Sequence, residues 1–257
     1  MIINYYKERR REMNNVNDTF EQVKDVMGEN LVMYDPCGPI PEFPVGDDGS
    51  CIMDVLNSNY NDEKVYKNHI LMCGPQTPMN TLDIRRKFAE ILNSAAPIEQ
   101  SEDLENIFSH QAVRLRWYLM PIKAFPGSFN KDYGSQLGLI GIEGASITGL
   151  LSQEAVKKLK PTIYYPTTAA VEAMKWLLYR MHTGNDCEDK NTWLRTSSMD
   201  SGGDATLVGK NHEGKISIGH WWVCDEHATI GLGVMRNIYP RANAKAKRVS
   251  FWGRLLR

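Results

Sequence analysis

At 257 residues, 42% of them apolar, the chain is large enough for one packed domain, or for one domain with extensions. Its formal net charge of −1 carries no global nucleic-acid or membrane signature, and no apolar run reaches the length of a membrane span. Five cysteines (Cys37, Cys51, Cys73, Cys187 and Cys224) without paired spacing argue against a disulfide framework and for a reduced compartment.

Charge is unevenly spread. From Gly28 to Glu63 there are eight acidic residues and no Lys or Arg; after Glu226 there are seven Lys/Arg and no acid. Such polarity suits an intramolecular dock, head-to-tail assembly or an anionic partner, and equally two solvated surfaces. No apolar core of signal-peptide length follows the first charges.

Residues 4–27 read as a helix, with Val16, Phe20, Val23 and Met27 on one face and Gly28 to end it. Its charged first turns make residues 1–28 an arm that packs on its own domain or on a neighbour. Residues 31–62 are rich in Pro, Gly and Asp. Asp47-Asp48-Gly49 is a turn that lacks the alternating oxygen ligands of a calcium loop, so neither metal nor cofactor is expected. His69–Cys73 is a short apolar strand stopped by Gly74-Pro75. Thr81–Asn93 is a helix with Leu82, Phe88, Ile91 and Leu92 inward, and Ser101 caps a short one after it. Val113–Leu119 alternates and predicts a half-buried strand, with Arg114, Arg116 and Tyr118 on its polar face. That face is either solvated or a basic, aromatic surface for phosphate and stacked bases.

Leu137–Ile142 reads as a glycine-spaced strand. Ser152 starts a helix over Gln153–Leu159. Thr167 or Thr168 starts a longer one, with Ala170, Met174, Leu177, Leu178 and Met181 inward and Gly184-Asn185-Asp186 at its end. From Asn191 to Pro240 the pattern changes to strands. Ala205–Val208 and Lys215–Cys224 face each other across Asn211-His212-Glu213-Gly214 as a β-hairpin. Trp193-Leu194-Arg195 and Gly231–Asn237 read as two further strands of the same sheet. Arg195 and Arg236, each inside an apolar strand, require specified polar partners.

This order of pieces resembles a family of uncharacterised bacterial and phage domains. Its mark is a Trp-Leu-Arg-Ser-Pro strand, an Ala-x-x-Val strand, a Gly turn and a closing Gly-Val-Arg-Pro strand. The matching residues are Trp193, Leu194 and Arg195, then Ala205–Val208, Gly214, and Gly233 to Arg236; Leu150-Leu151-Ser152 and Pro161-Thr162 match upstream. Thr196-Ser197 stands in place of Ser-Pro, and Met235 interrupts Gly-Val-Arg. The resemblance spans roughly residues 145–240. It implies an α+β, C-type-lectin-like fold: helices packed on a small antiparallel sheet, with long late loops carrying the ligand surface. The expected organisation is an arm at 1–28, a domain at 29–240 and a basic tail at 241–257. It also implies a phage or bacterial setting, in a cytoplasm or a virion.

Three chemistries can be weighed on the residues. Asp200-Ser201-Gly202-Gly203 is similar to the nucleophile loop of trypsin-like proteases, and a triad would draw on His110 and Asp132. The helix from Thr168, however, lies where a double β-barrel needs strands. His220, Cys224 and His227 suggest zinc, but His220 and Cys224 are about 13 Å apart on an extended strand. The late cysteines, Cys187 and Cys224, match no motif of the formylglycine-generating enzymes that share the implied fold.

Binding is the remaining chemistry. His220 and Trp222 share one side of their strand, Trp221 and Val223 the other. Either Trp222 and His220 face outward, or both tryptophans are core. The candidate ligand surface is the 196–204 loop with Ser197, Asp200 and Ser201, plus the 220–227 segment with His220, Trp222, Asp225 and His227. The reading is a non-catalytic ligand-binding or structural protein, whose sharper form is a virion tail or receptor-binding component. It would bind protein or glycan and self-associate through its terminal arms. A serine hydrolase using Ser201 is one alternative. A nucleic-acid-associated assembly protein using Arg114, Arg116 and the tail is another, although nucleic acid is the less expected partner.

Overall fold

A computed structural model of the chain describes residues 20–34, 41, 43–46, 50–91, 98–100, 111–141, 164–211, 215–236 and 238–240. The helices expected after Ser101 and Ser152, the upstream matches at 150–162, Gly214 and the tail lie outside them.

The fold is built around helix α6 (Ala169–Thr183). Thr168 caps it by accepting from the Val171 N–H, and Gly184 ends it at φ 70°. Ala169–Leu177 is buried on every side, as in a helix enclosed between layers rather than lying on one. The far end is less enclosed: Leu178 is half-buried and packs against the core, whereas Met181 is 41% exposed and does not face inward as expected.

Two mixed five-stranded sheets flank this helix. The first runs β1 (Val32–Met33), β5 (His69–Cys73), β7 (Trp117–Pro121), β13 (Val234–Arg236), β8 (Tyr164–Pro166). The second runs β12 (Ile230–Leu232), β9 (Trp193–Met199), β10 (Ala205–Lys210), β11 (Ile216–Trp221), β6 (Ile98–Gln100). Pairs β1/β5, β9/β12 and β11/β6 are parallel and the other pairs in these sheets antiparallel. The class is α+β, but the sheet content is larger and more mixed than one small antiparallel sheet. The main core joins Ile70, Met72 and Met120 of the first sheet to Leu194, Val208 and Ile218 of the second through Ala170, Ala173 and Trp176 of α6.

The first sheet is buried on both faces. Its alternate residues Leu71, Leu119 and Trp117 pack against Phe20, Val23 and Met27 of α1 (residues 20–27) and against Val55 and Leu56 of α2 (Ile52–Asn57). This corrects the strand expected at 113–119. Trp117–Pro121 is buried throughout, and Tyr118 is core rather than part of a solvated face. Arg114 and Arg116 precede the strand in an exposed turn. There the Tyr118 hydroxyl accepts from the Arg114 N–H (3.1 Å) and donates to the Arg114 carbonyl (3.2 Å).

Two further expectations are corrected. Residues 137–139 of the segment read as a strand at 137–142 belong to helix α5 (Tyr133–Leu139), and 140–141 form the turn after it. Asp132 caps the helix, and Tyr133, Gln136 and Leu137 are buried at helical spacing. The stretch Gly231–Asn237 is split between sheets, with β12 in the second and β13 in the first. Gly233 is the crossing point. Its N–H donates to the Arg195 carbonyl (3.0 Å) and its carbonyl accepts from Thr167 (3.0 Å). A Cβ at Gly233 would lie 2.9 Å from both Glu172 Oε2 and Thr167 Oγ1, so only glycine fits unchanged.

Candidate functional site

The hairpin register creates the site. Thr206 pairs with His220 and Ala205 with both Trp221 and Met199, which brings the 200–204 loop beside the end of β11. Asp200 organises that loop. One carboxylate oxygen accepts from the Gly202 and Asp204 N–H groups (2.9 and 2.8 Å), and the other meets His220 Nδ1 at 3.0 Å. The Asp200 side chain is 10% exposed and that of His220 50%. A carboxylate at Nδ1 makes that nitrogen a hydrogen-bond donor.

Beyond His220 the chain turns, and Trp222 stands 62% exposed. Trp221 is half-buried, and its ring centroid lies 6.3 Å from Trp222 and 5.3 Å from His227. So Trp222 and His220 face outward, the first of the two packings open to the sequence. The backbone beneath them is pinned by Arg195, which is fully buried. Its guanidinium donates to the carbonyls of Trp222 (3.0 Å), Asp225 (2.6 Å) and Lys131 (2.9 Å), and to Gln136 Oε1 (3.3 Å). Burial lowers the Arg195 pKa, against the pull of Asp132, Tyr133 and Asp225. Gln136 in turn donates to the Ser128 and Ile230 carbonyls, and the Tyr133 N–H to Val223. The exposed turn therefore sits on a hydrogen-bonded polar base, in which the terminal guanidinium nitrogens of Arg195 are engaged and its buried Nε has no partner.

The other candidates divide. Asp225 and His227 join the Trp222 corner, the first through its carbonyl on Arg195 and the second through its ring on Trp221. Ser197 is exposed, but its hydroxyl donates to the Thr167 carbonyl (3.1 Å). Ser201 lies in the exposed turn, and among the described residues no hydroxyl is hydrogen-bonded to His220. His110 lies outside the described residues. Asp132 accepts from the Ser135 N–H and hydroxyl, and although partial burial opposes it, these bonds hold its carboxyl below the usual range. Among the described residues, no group of three or more His, Cys, Asp or Glu is placed to hold a metal ion. Among the structural signature residues, Leu194 is buried and Trp193 half-buried under Gly209, whereas Arg236 belongs to the other sheet.

That sheet carries a polar cluster the sequence did not reveal. His69 is fully buried, with Nδ1 on Asn68 Oδ1 (2.6 Å) and Nε2 on the Tyr164 hydroxyl (3.1 Å). Arg236 lies over the Tyr164 ring at 5.9 Å and donates to Ser58 Oγ (2.8 Å). Burial and the Arg236 charge push the His69 pKa down to about 3, so the ring is neutral. Apart from Asn68, its partners Tyr164 and Arg236 come from segments far along the chain, and no local motif marks them. Among the described residues, no helix is long and apolar enough to cross a membrane. Comparison with protein-family models, curated proteins and solved structures gave no match.

Proposed function

We propose that the protein is a non-catalytic binding protein whose recognition surface is the Trp222 corner, with Asp200, His220, Asp225 and His227 around the indole. The observation that carries this is the combination of a 62% exposed Trp222 with a fully buried Arg195 holding its carbonyl. An exposed indole on a pre-ordered backbone loses little entropy on binding, which is how aromatic hot spots gain affinity. The C-type-lectin-like fold is part of the same proposal. It is supported by the order of α6, β9, β10 and β11, with the ligand surface on late loops. A phage or bacterial setting, with the protein as a virion tail or receptor-binding component in self-associated form, rests on the family resemblance. Its ligand is a protein or a glycan. Screening the full chain against a glycan array and host-cell surface extracts should give ligands whose binding is lost in Trp222→Ala with the fold retained. Ligands that bind Trp222→Ala undiminished would sink the proposal.

The Asp200–His220 pair favours a second reading, a serine hydrolase using Ser201. Against it, Met199 stands where such a loop has its oxyanion-hole glycine, and among the described residues no hydroxyl is hydrogen-bonded to His220. Ester hydrolysis abolished by Ser201→Ala would reverse this preference.

A further inference from the structure

We propose that the Trp222 corner takes a basic peptide, with a lysine or arginine side chain of the partner laid against the Trp222 indole. This names the ligand class of the surface above and rests on that reading. The exposed polar atoms flanking the indole are mainly acceptors. His220 directs its Nδ1 at the Asp200 carboxylate, at 3.0 Å. Asp225 and Glu226 follow the indole in the same turn, half-buried and exposed, and Asp204 is half-buried in the loop that Asp200 gathers under His220. Among the described residues, none of these three carboxylates is ion-paired. Arg195 attracts the Asp225 charge from below without forming an ion pair with it. Arg195 is shut beneath the turn with its guanidinium on carbonyls and Gln136, and Lys131 approaches through its carbonyl.

An exposed indole face beside carboxylates lacking counter-ions is the complement of an organic cation. The ring quadrupole attracts the charge, and the carboxylates replace its water. The carboxylates stand on two loops, 200–204 and 222–226, so the surface matches several cations along a peptide rather than one isolated ammonium.

The test measures binding to the folded full chain by anisotropy. The probes are a fluorescein-labelled peptide of alternating Lys and Ala and its Gln-for-Lys counterpart. The Lys peptide should bind and the Gln peptide should not. Trp222→Ala and the double change Asp225→Asn with Glu226→Gln should each weaken binding about tenfold or more, and added salt should weaken it further. The double change is close to isosteric and leaves the Asp225 carbonyl on Arg195, so it reports even if Trp222→Ala folds poorly. Equal binding of both peptides, binding of neither, or binding undiminished by the double change overturns the proposal. A neutral glycan that binds through Trp222 while the Lys peptide does not would overturn the cationic class and leave the recognition surface standing.

Discussion

His69 and Arg195 solve the same problem differently: each is a polar group without access to water. His69 is kept neutral, with a pKa near 3 against an ordinary 6.5, because burial and Arg236 both oppose its charge. Between those values the unfolded chain binds a proton that the folded chain refuses. Stability therefore falls as pH drops from 6.5 toward 3, by up to about 1.4 kcal/mol per pH unit from this group. Urea unfolding across that window should show a shallower acid loss for His69→Gln than for the wild type, although the variant is less stable at pH 7. Arg195 stays charged because carbonyl oxygens replace its water. Arg195→Met leaves those carbonyls without donors and should cost roughly 3 kcal/mol or more in unfolding free energy. Arg195→Lys should recover only part of this, since an ammonium cannot reach all four acceptors in the guanidinium plane.

Among the elements, the stretch after Thr229 shows how one short sequence serves two sheets. β12 pairs with β9 in parallel, β13 pairs with β7 and β8 antiparallel, and Gly233 alone separates them. The glycine abuts Glu172, whose other oxygen binds Trp176 Nε1 (3.0 Å) and the buried Lys175. Burial disfavours the Lys175 charge, and the Glu172 carboxylate more than offsets that and raises its pKa. Gly233→Ala would press a methyl group into this ion pair, so about 1–3 kcal/mol of destabilisation is expected from thermal unfolding.

For the molecule as a whole, the terminal segments bear on assembly and on stability separately. Phe20, Val23 and Met27 cover Trp117 and Leu119, so they belong to the core layer of the first sheet. Each such buried side chain contributes about 1.5–3 kcal/mol. Removing residues 1–28 should therefore destabilise the fold strongly in chemical denaturation, whereas removing 1–19 should leave this layer in place. Light scattering of the full chain and of residues 20–240 then isolates assembly. A full chain that assembles beside a folded monomeric 20–240 fragment supports self-association through the arms, and two monomers would end that idea.

The sequence by itself determined the elements whose signals are local. The Thr168 cap, the α6 periodicity and Gly184 set that helix, and two short strands on either side of the Asn211-His212-Glu213-Gly214 turn set the hairpin. It also required partners for Arg195 and Arg236, because a buried guanidinium cannot go unsolvated, but it could not say which they were. Tertiary structure decided the rest. β7 lost its polar face because the first sheet is covered on both sides, and residues 133–139 became a helix because Asp132 and Gln136 found their hydrogen bonds that way. The Trp222 corner, too, exists only once Asp200, Arg195 and the 222–225 turn converge. Periodicity reports how a residue relates to its own turn or strand. Which faces are covered, and which distant carbonyl answers a buried cation, depends on layers that meet only in the folded chain.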